Sequence, residues 1–347
     1  MERTTQRLLV VSPSWVGDMV MAQTLLKTLK QRQPDRLIDV LAPAATLAIA
    51  SRMPEVNDTL LFEVGHGQLN LPYRRKIAGQ LKHRDYDQAI VMPNSLKSAL
   101  VPWLADIPIR TGFRGEYRYG LINDMRLLDK ARLPRMVDRF NNLGGAINAA
   151  APPTKFPALS IDPQNQQDCL AKLGLIHSPS SPPILGLCPG AEFGDAKRWP
   201  AGHYAAVADM AVQQGMQVWI FGGPADALVA SEIKNLVVAA SQSQVEVLAG
   251  KTRLVDAIDL MSLCQLVVSN DSGLMHIAAA VNCPTAVVYG STSPSFTPPL
   301  TDKLHVVSLA LDCSPCFERT CPLGHKDCLN KLWPSMLAPV IAQYAAA

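Results

Sequence analysis

The sequence predicts an α/β protein made of two doubly wound parallel-sheet domains in tandem, with a ligand cleft between them. Two observations predict it: strand and helix patterns alternate through the chain in two series, and a proline-rich stretch at 151–163 (APPTKFPALSIDP) separates the series. A third is length, since 347 residues are long for one domain and comfortable for two.

The first series begins with an apolar strand over 7–12 (RLLVVS). A turn over 13–18 (PSWVGD) leads to helical apolar spacing over 19–31. Strand 37–42, helix 44–53 and strand 59–62 follow, then a basic helix over 74–83, strand 88–92 and helix 95–104. After a basic segment the pattern is helical again over 137–150. The second series runs strand 183–188, helix 201–214, strand 217–221, helix 226–239, strand 245–248 and helix 254–263. It continues with strand 264–269, a helix from Leu274, strand 285–289 and a terminal helix over 332–346. The expected domains are 1–155 and 156–347, Rossmann-like in both cases, with the terminal helix able to pack back on the first.

Composition narrows the classes of function. No apolar run reaches the ~18 residues of a membrane span, and the polar start MERTTQR lacks a signal-peptide apolar region, so the cytoplasm is expected. Eight cysteines in that setting are expected to be reduced thiols or metal ligands. Residues 1–160 carry 22 Lys+Arg against 14 Asp+Glu, whereas the remainder is net acidic. Stretch 74–139 alone holds 14 basic and 7 acidic residues, which points to an anionic partner for the first domain. No nucleic-acid partner is expected.

Three strand-end loops hold the unusual residues. At 12–18, Gly17 permits a sharp turn and Asp18 opens a helix, where the dipole favours a carboxylate; an ordinary helix-start charge explains it equally well. At 189–200 (PGAEFGDAKRWP), Gly190 and Gly194 allow close backbone approach, and Lys197 and Arg198 supply two cations suited to a pyrophosphate. At 270–276, a buried strand feeds a helix through Asn-Asp-Ser-Gly, so that N–H groups near Ser272 and Gly273 face an incoming phosphate. Asp271 or Ser272 is the natural N-cap, and His276 follows one turn in.

Other patterns fail. Asp85-Tyr86-Asp87 matches a DxD metal motif but precedes a strand, and reads as loop acid. Gly250-Lys251-Thr252 lacks the first glycine of a P-loop, and no GxGxxG follows the first strand. The tail spacing Cys313-x2-Cys316-x4-Cys321-x6-Cys328 can hold zinc or an iron–sulfur cluster, or can be reduced thiols in an irregular loop.

The blocks PSWVGDMVMAQTL, PNSLKSALVPW, RTGFRGEYRYGLIND, CPGAEFGDAKRWP and SNDSGLMHIAAA resemble the ADP-heptose:lipopolysaccharide heptosyltransferases, and the likeness runs across nearly the whole chain. The resemblance implies an inverting glycosyltransferase of GT-B architecture, working without a metal or other cofactor. It implies ADP-L-glycero-β-D-manno-heptose as donor, held mainly by the second domain. The acceptor it implies is heptosyl-Kdo2-lipid A, anionic through its carboxylates and phosphates and held by the first. Peripheral contact with the inner leaflet of the inner membrane follows from a lipid acceptor.

By the same resemblance Asp18 is the general base, and Lys197 with the N–H groups of Ser272 and Gly273 holds the leaving ADP. Asp271, His276 and Gly190 belong to the donor site. Ser14, Lys97, Arg110, Arg114 and Arg118 are the acceptor-side candidates, arginine being suited to forked contact with carboxylate or phosphate. The alternative within the resemblance is a sibling heptosyltransferase acting on a different inner-core acceptor; a nucleotide-sugar epimerase and a non-catalytic nucleotide-sugar-binding protein are the more distant rivals.

Overall fold

The computed structural model describes residues 6–65, 67–146 and 152–346. The chain divides into two compact units, 1–157 and 158–347, each built on a six-stranded parallel sheet.

In the first unit the elements run β1 (Arg7–Val11), α1 (Val16–Arg32), β2 (Leu37–Ala42), α2 (Ala44–Ala50), β3 (Asp58–Leu61) and α3 (Leu71–Leu81). They continue with β4 (Gln88–Val91), α4 (Leu100–Leu104), β5 (Ile109–Phe113), β6 (Asp124–Arg126) and α5 (Met136–Asn142). The sheet order is β3-β2-β1-β4-β5-β6. Central β1 is buried along nearly its whole length, as a strand with helices on both faces must be. One face packs Leu9, Val11, Ala89 and Val91 against Ile77, Ala78 and Leu81 of α3.

In the second unit the order along the chain is α6 (Pro163–Leu173), β7 (Ile184–Cys188), α7 (Ala201–Gln213), β8 (Gln217–Ile220), α8 (Ala227–Leu236) and β9 (Val245–Val247). Then come α9 (Leu254–Met261), β10 (Leu266–Asn270), α10 (Gly273–Ala280), β11 (Thr285–Tyr289), β12 (Leu304–Ser308), α11 (Asp327–Asn330) and α12 (Ala338–Ala345). The sheet order is β12-β11-β10-β7-β8-β9. Helix α12 lies against α7 and buries Ile341 in the second unit's core, which includes Val207 and Ala208.

Several elements differ from expectation. The predicted turn over 13–18 is shorter, because Trp15 is extended and the helix starts at Val16. Asp18 therefore lies inside the first turn of α1. Strands β5 and β6 occupy what read as a featureless basic segment. They are short and polar, and Thr111 Oγ1 donates to Asp124 Oδ2 (2.7 Å) while accepting from Gln88 Nε2 (2.8 Å). Helix α6 has one buried residue, Cys169, so its apolar stripe is too thin to read. Its ends are nonetheless well marked: Asp162 caps the N–H groups of Gln164 and Asn165, Pro163 opens it, and Gly174 closes it at φ 65°. The helix predicted over 137–150 ends at Asn142, a turn follows at 143–144, and positions 147–150 lie outside the described residues.

Candidate functional site

In each sheet the strand order reverses once, between β1 and β4 in the first and between β7 and β10 in the second. Doubly wound sheets bind ligands outside the carboxyl ends of the strands at such a point. The three loops singled out by sequence leave β1, β7 and β10, and so open at the two reversal points.

At the second reversal point, buried Asn270 at the end of β10 joins the two loops. Its Nδ2 donates to the Pro189 carbonyl (2.6 Å), and its Oδ1 lies 3.2 Å from the Trp199 N–H and 3.0 Å from Tyr204 Oη. Trp199 Nε1 in turn donates to the Leu332 carbonyl (3.0 Å). The loop over 189–200 is thus anchored at both ends by one amide. The sequence places Asn270 at the break between strand and helix but gives it no role of its own. Its signal was an asparagine closing an apolar strand, where an unpaired amide would be costly.

Between those anchors Lys197 Nζ stands 2.7 Å from Asp271 Oδ2, with Lys197 16% and Asp271 6% exposed. The ammonium also lies 5.1 Å from the centroid of the Phe193 ring. Of the two residues expected to cap α10, Asp271 does not: its carboxylate faces Lys197. Ser272 occupies the N-cap position, but its hydroxyl lies 3.3 Å from Ser269 Oγ and caps nothing. No side chain of the N-cap accepts from the first turn of α10, whose residues Ser272 to Leu274 are half-buried, beside a lysine held in place. That arrangement favours a diphosphate.

Gly190 is needed for space, as expected, but the group that requires it is Asp226: a β-carbon at Gly190 would lie 2.5 Å from that carboxylate. Gly190 shapes the loop by admitting Asp226. Arg198 is exposed and weakly braced on the Ala191 carbonyl (3.4 Å).

His276, on the buried side of α10, is held at about 4 by burial, with Lys197 lowering it further and Asp271 opposing. It is neutral in the folded protein at pH 7. An unfolded histidine titrates near 6.5. The neutral fold's advantage is therefore complete above about 6.5 and is lost as pH falls toward 4. We expect wild type to lose roughly 2 kcal/mol more stability than His276→Gln between pH 7 and 4.5. Urea denaturation of both at the two pH values checks this, and equal losses would remove His276 as the cause.

In the first unit, Asp18 is half-buried at the third helical position of α1, its charge at the positive end of the helix dipole. Ser14 and Trp15 precede it and are exposed. Lys97 is half-buried in the loop after β4, and Arg114 is exposed just after β5.

Two acceptor candidates are corrected. Arg118 is 1% exposed and donates to the carbonyls of Pro93 (2.6 Å) and Phe113 (2.6 Å) and to Asn94 Oδ1 (3.2 Å). It fastens the loop after β4 to the loop after β5. Arg110 donates to the carbonyls of Leu121 (2.7 Å), Ile107 (2.5 Å) and Gly120 (3.3 Å). Both guanidiniums shape the loops that carry Lys97 and Arg114. Much of the basic excess is engaged in the same way: Arg74 donates to the carbonyls of Leu69 and Lys97, and Arg84, Arg126 and Arg135 pair with Asp58, Asp124 and Asp138. Asp87 of the DxD pattern pairs with Arg36 at 2.8 Å, in keeping with its reading as loop acid.

Two doubly wound sheets, the second with a lysine–aspartate pair beside an uncapped helix start, define a two-domain α/β enzyme suited to a phosphorylated ligand. The model of glycosyltransferase family 9 (heptosyltransferase) matches residues 74–327, and the chain belongs to that family. It is 46% identical over 309 residues to lipopolysaccharide heptosyltransferase 2 of Escherichia coli (strain K12), covering 87% of this chain and 88% of that one. It is 44% identical over 310 residues to lipooligosaccharide heptosyltransferase 2 of Haemophilus influenzae, with the same coverage. Among solved structures, E. coli ADP-heptose LPS heptosyltransferase II matches with a TM-score of 0.87 and 41% identity, over 98% of this chain and 99% of that one. The fold is the GT-B type expected.

Proposed function

We propose that the protein is an inverting glycosyltransferase that moves L-glycero-D-manno-heptose from ADP-heptose to the first heptose of the lipopolysaccharide inner core. The observation that carries the reading within the family is the Lys197–Asp271 pair beside the uncapped start of α10, at the second reversal point. A diphosphate leaving group gains charge as its bond to the sugar breaks. Lys197 and the N–H groups of Ser272 and Gly273 stabilise that charge. Fixed donors in this position do what a divalent cation does in other transferases, so the reaction is proposed to be metal-independent.

Asp18 takes the proton from the acceptor hydroxyl as its oxygen attacks the anomeric carbon. The new C–O bond forms on the face opposite the departing ADP, so one displacement inverts the centre and needs one base. Asp271 holds Lys197 in position. Ser14, Lys97 and Arg114 are proposed to contact the anionic acceptor. Among the described residues no helix is long and apolar enough to cross a membrane. The acceptor is a lipid, so the enzyme is proposed to work in the cytoplasm at the inner face of the inner membrane.

The test is heptose transfer in excess EDTA to two purified acceptors, Kdo2-lipid A and the same molecule carrying one heptose. Transfer to the second alone is expected. Transfer to the bare Kdo acceptor would reassign the acceptor while keeping donor and base. Activity that EDTA abolishes and added magnesium restores would reject the metal-free role given to Lys197.

A further inference from the structure

The segment from Cys313 to Cys328 plays no part in the chemistry above, yet it is clamped to the donor loop after β7 and to the residues that follow β11. The Ala196 N–H donates to the Arg319 carbonyl (3.1 Å), and Lys326 Nζ pairs with Asp195 at 2.9 Å, both on the loop that carries Lys197. The Arg319 guanidinium lies 5.2 Å from the Phe193 ring, on which the Lys197 ammonium also rests. Gly194 has no β-carbon because the Arg319 backbone occupies that space. On the other side, the Phe317 N–H donates to the Ser291 carbonyl (2.7 Å), and Ser314 Oγ donates to the Gly290 carbonyl. The segment has almost no regular structure of its own, with only the four-residue α11 near its end.

What could hold such a segment in shape is visible in one cavity. Cys313, Cys316, Cys321 and Cys328 all line it, together with His325. All four cysteines are free thiols. The backbone N–H groups of Lys326, Leu323, Gly324 and His325 turn toward the Cys321 sulfur. Gly324 (φ 77°) and Lys326 (φ 53°) take left-handed conformations to make that turn. Four sulfurs are a complete donor set for a thiophilic metal. Among the described residues, no three His, Cys, Asp or Glu side chains are already closed to the separations of a single ion. The sulfurs ring a cavity, which a metal centre would draw together or an iron–sulfur cluster would fill.

We propose that Cys313, Cys316, Cys321 and Cys328 ligate a thiolate-bound metal centre, a zinc ion or an iron–sulfur cluster, that fixes the 313–328 segment against the donor loop. The centre is structural. It lies on the Lys326 and Arg319 side of the donor loop, and its removal would loosen the segment that braces residues 193–197. This consequence for ADP binding rests on the donor-site reading above, whereas the presence of the metal does not.

The experiment is elemental analysis of the full-length protein purified anaerobically without chelators, with sulfide analysis and an absorption spectrum. Stoichiometric zinc, or iron with matching sulfide and absorption near 400 nm, is expected, and which of the two is found identifies the centre. Cys313→Ser with Cys316→Ser should lose that metal. Neither metal in wild type, or metal fully retained in the double variant, would overturn the proposal. A wild-type readout guards against a variant that fails to fold. Stripping the metal with a chelator should lower Tm and weaken ADP binding several-fold, and adding back zinc, or iron with sulfide, should restore both. An unchanged Tm on stripping would overturn the structural role. Metal present with ADP affinity unaffected by its removal would instead count against the donor-loop reading alone.

Discussion

Asp18→Asn is expected to lower turnover by about 10²–10⁴-fold while leaving ADP affinity unchanged. Asparagine keeps the size and most of the hydrogen bonding of the carboxylate but cannot take a proton. The substitution sits in the first turn of α1, where removing a negative charge from the helix start costs about 0.3–1 kcal/mol. The fold should therefore survive, and the rate loss can be assigned to chemistry. The measurement is kcat with both substrates saturating, beside ADP binding by calorimetry and a thermal melt. Normal turnover would remove Asp18 as the base. A fall in ADP affinity equal to the fall in rate would place Asp18 on the donor side.

The candidate residues of the two units were legible to different degrees, and the reasons are physical. Strands buried on both faces, such as β10 and β11, show in sequence because almost every side chain must be apolar. The loops leaving them show because glycine and charge interrupt an apolar run. That is how Asp18, Lys197 and Asp271 come forward together. What one dimension cannot show is pairing. Lys197 and Asp271 are 74 residues apart and meet only because β7 and β10 are neighbours in the sheet. The same limit explains the arginines. Arg110, Arg114 and Arg118 recur at a regular spacing in one basic segment, yet two of them hold backbone carbonyls and only Arg114 is exposed. Whether a guanidinium meets a carbonyl or a ligand depends on strands β5 and β6, in which arginine, threonine and aspartate break the apolar run that marks the central strands. Asn270 was missed for a related reason. One amide in an apolar strand reads as an end signal, and its three partners, on the loop after β7 and in the first turn of α7, are distant in sequence.

Lys197→Ala is expected to reduce turnover by about 10²–10³-fold and to weaken ADP binding, as removal of a preorganised donor at a developing charge does. It should also destabilise the fold, for a reason unrelated to catalysis. Asp271 is 6% exposed, and the substitution leaves its carboxylate buried without the ammonium that faces it. Breaking a buried pair from one side costs more than the pair is worth, about 3–5 kcal/mol where burial is complete and less at this partly open site. The two effects separate in a second variant. Adding Asp271→Asn to Lys197→Ala removes the stranded charge, so thermal stability should return most of the way. Turnover should not return, because the leaving diphosphate still lacks its cation. Melts and kcat on the single and double variants form the test. If stability and turnover recovered together, Lys197 would be a structural partner of Asp271 only. If turnover stayed low while stability returned, the ammonium would be acting on the diphosphate, with Asp271 aiming it.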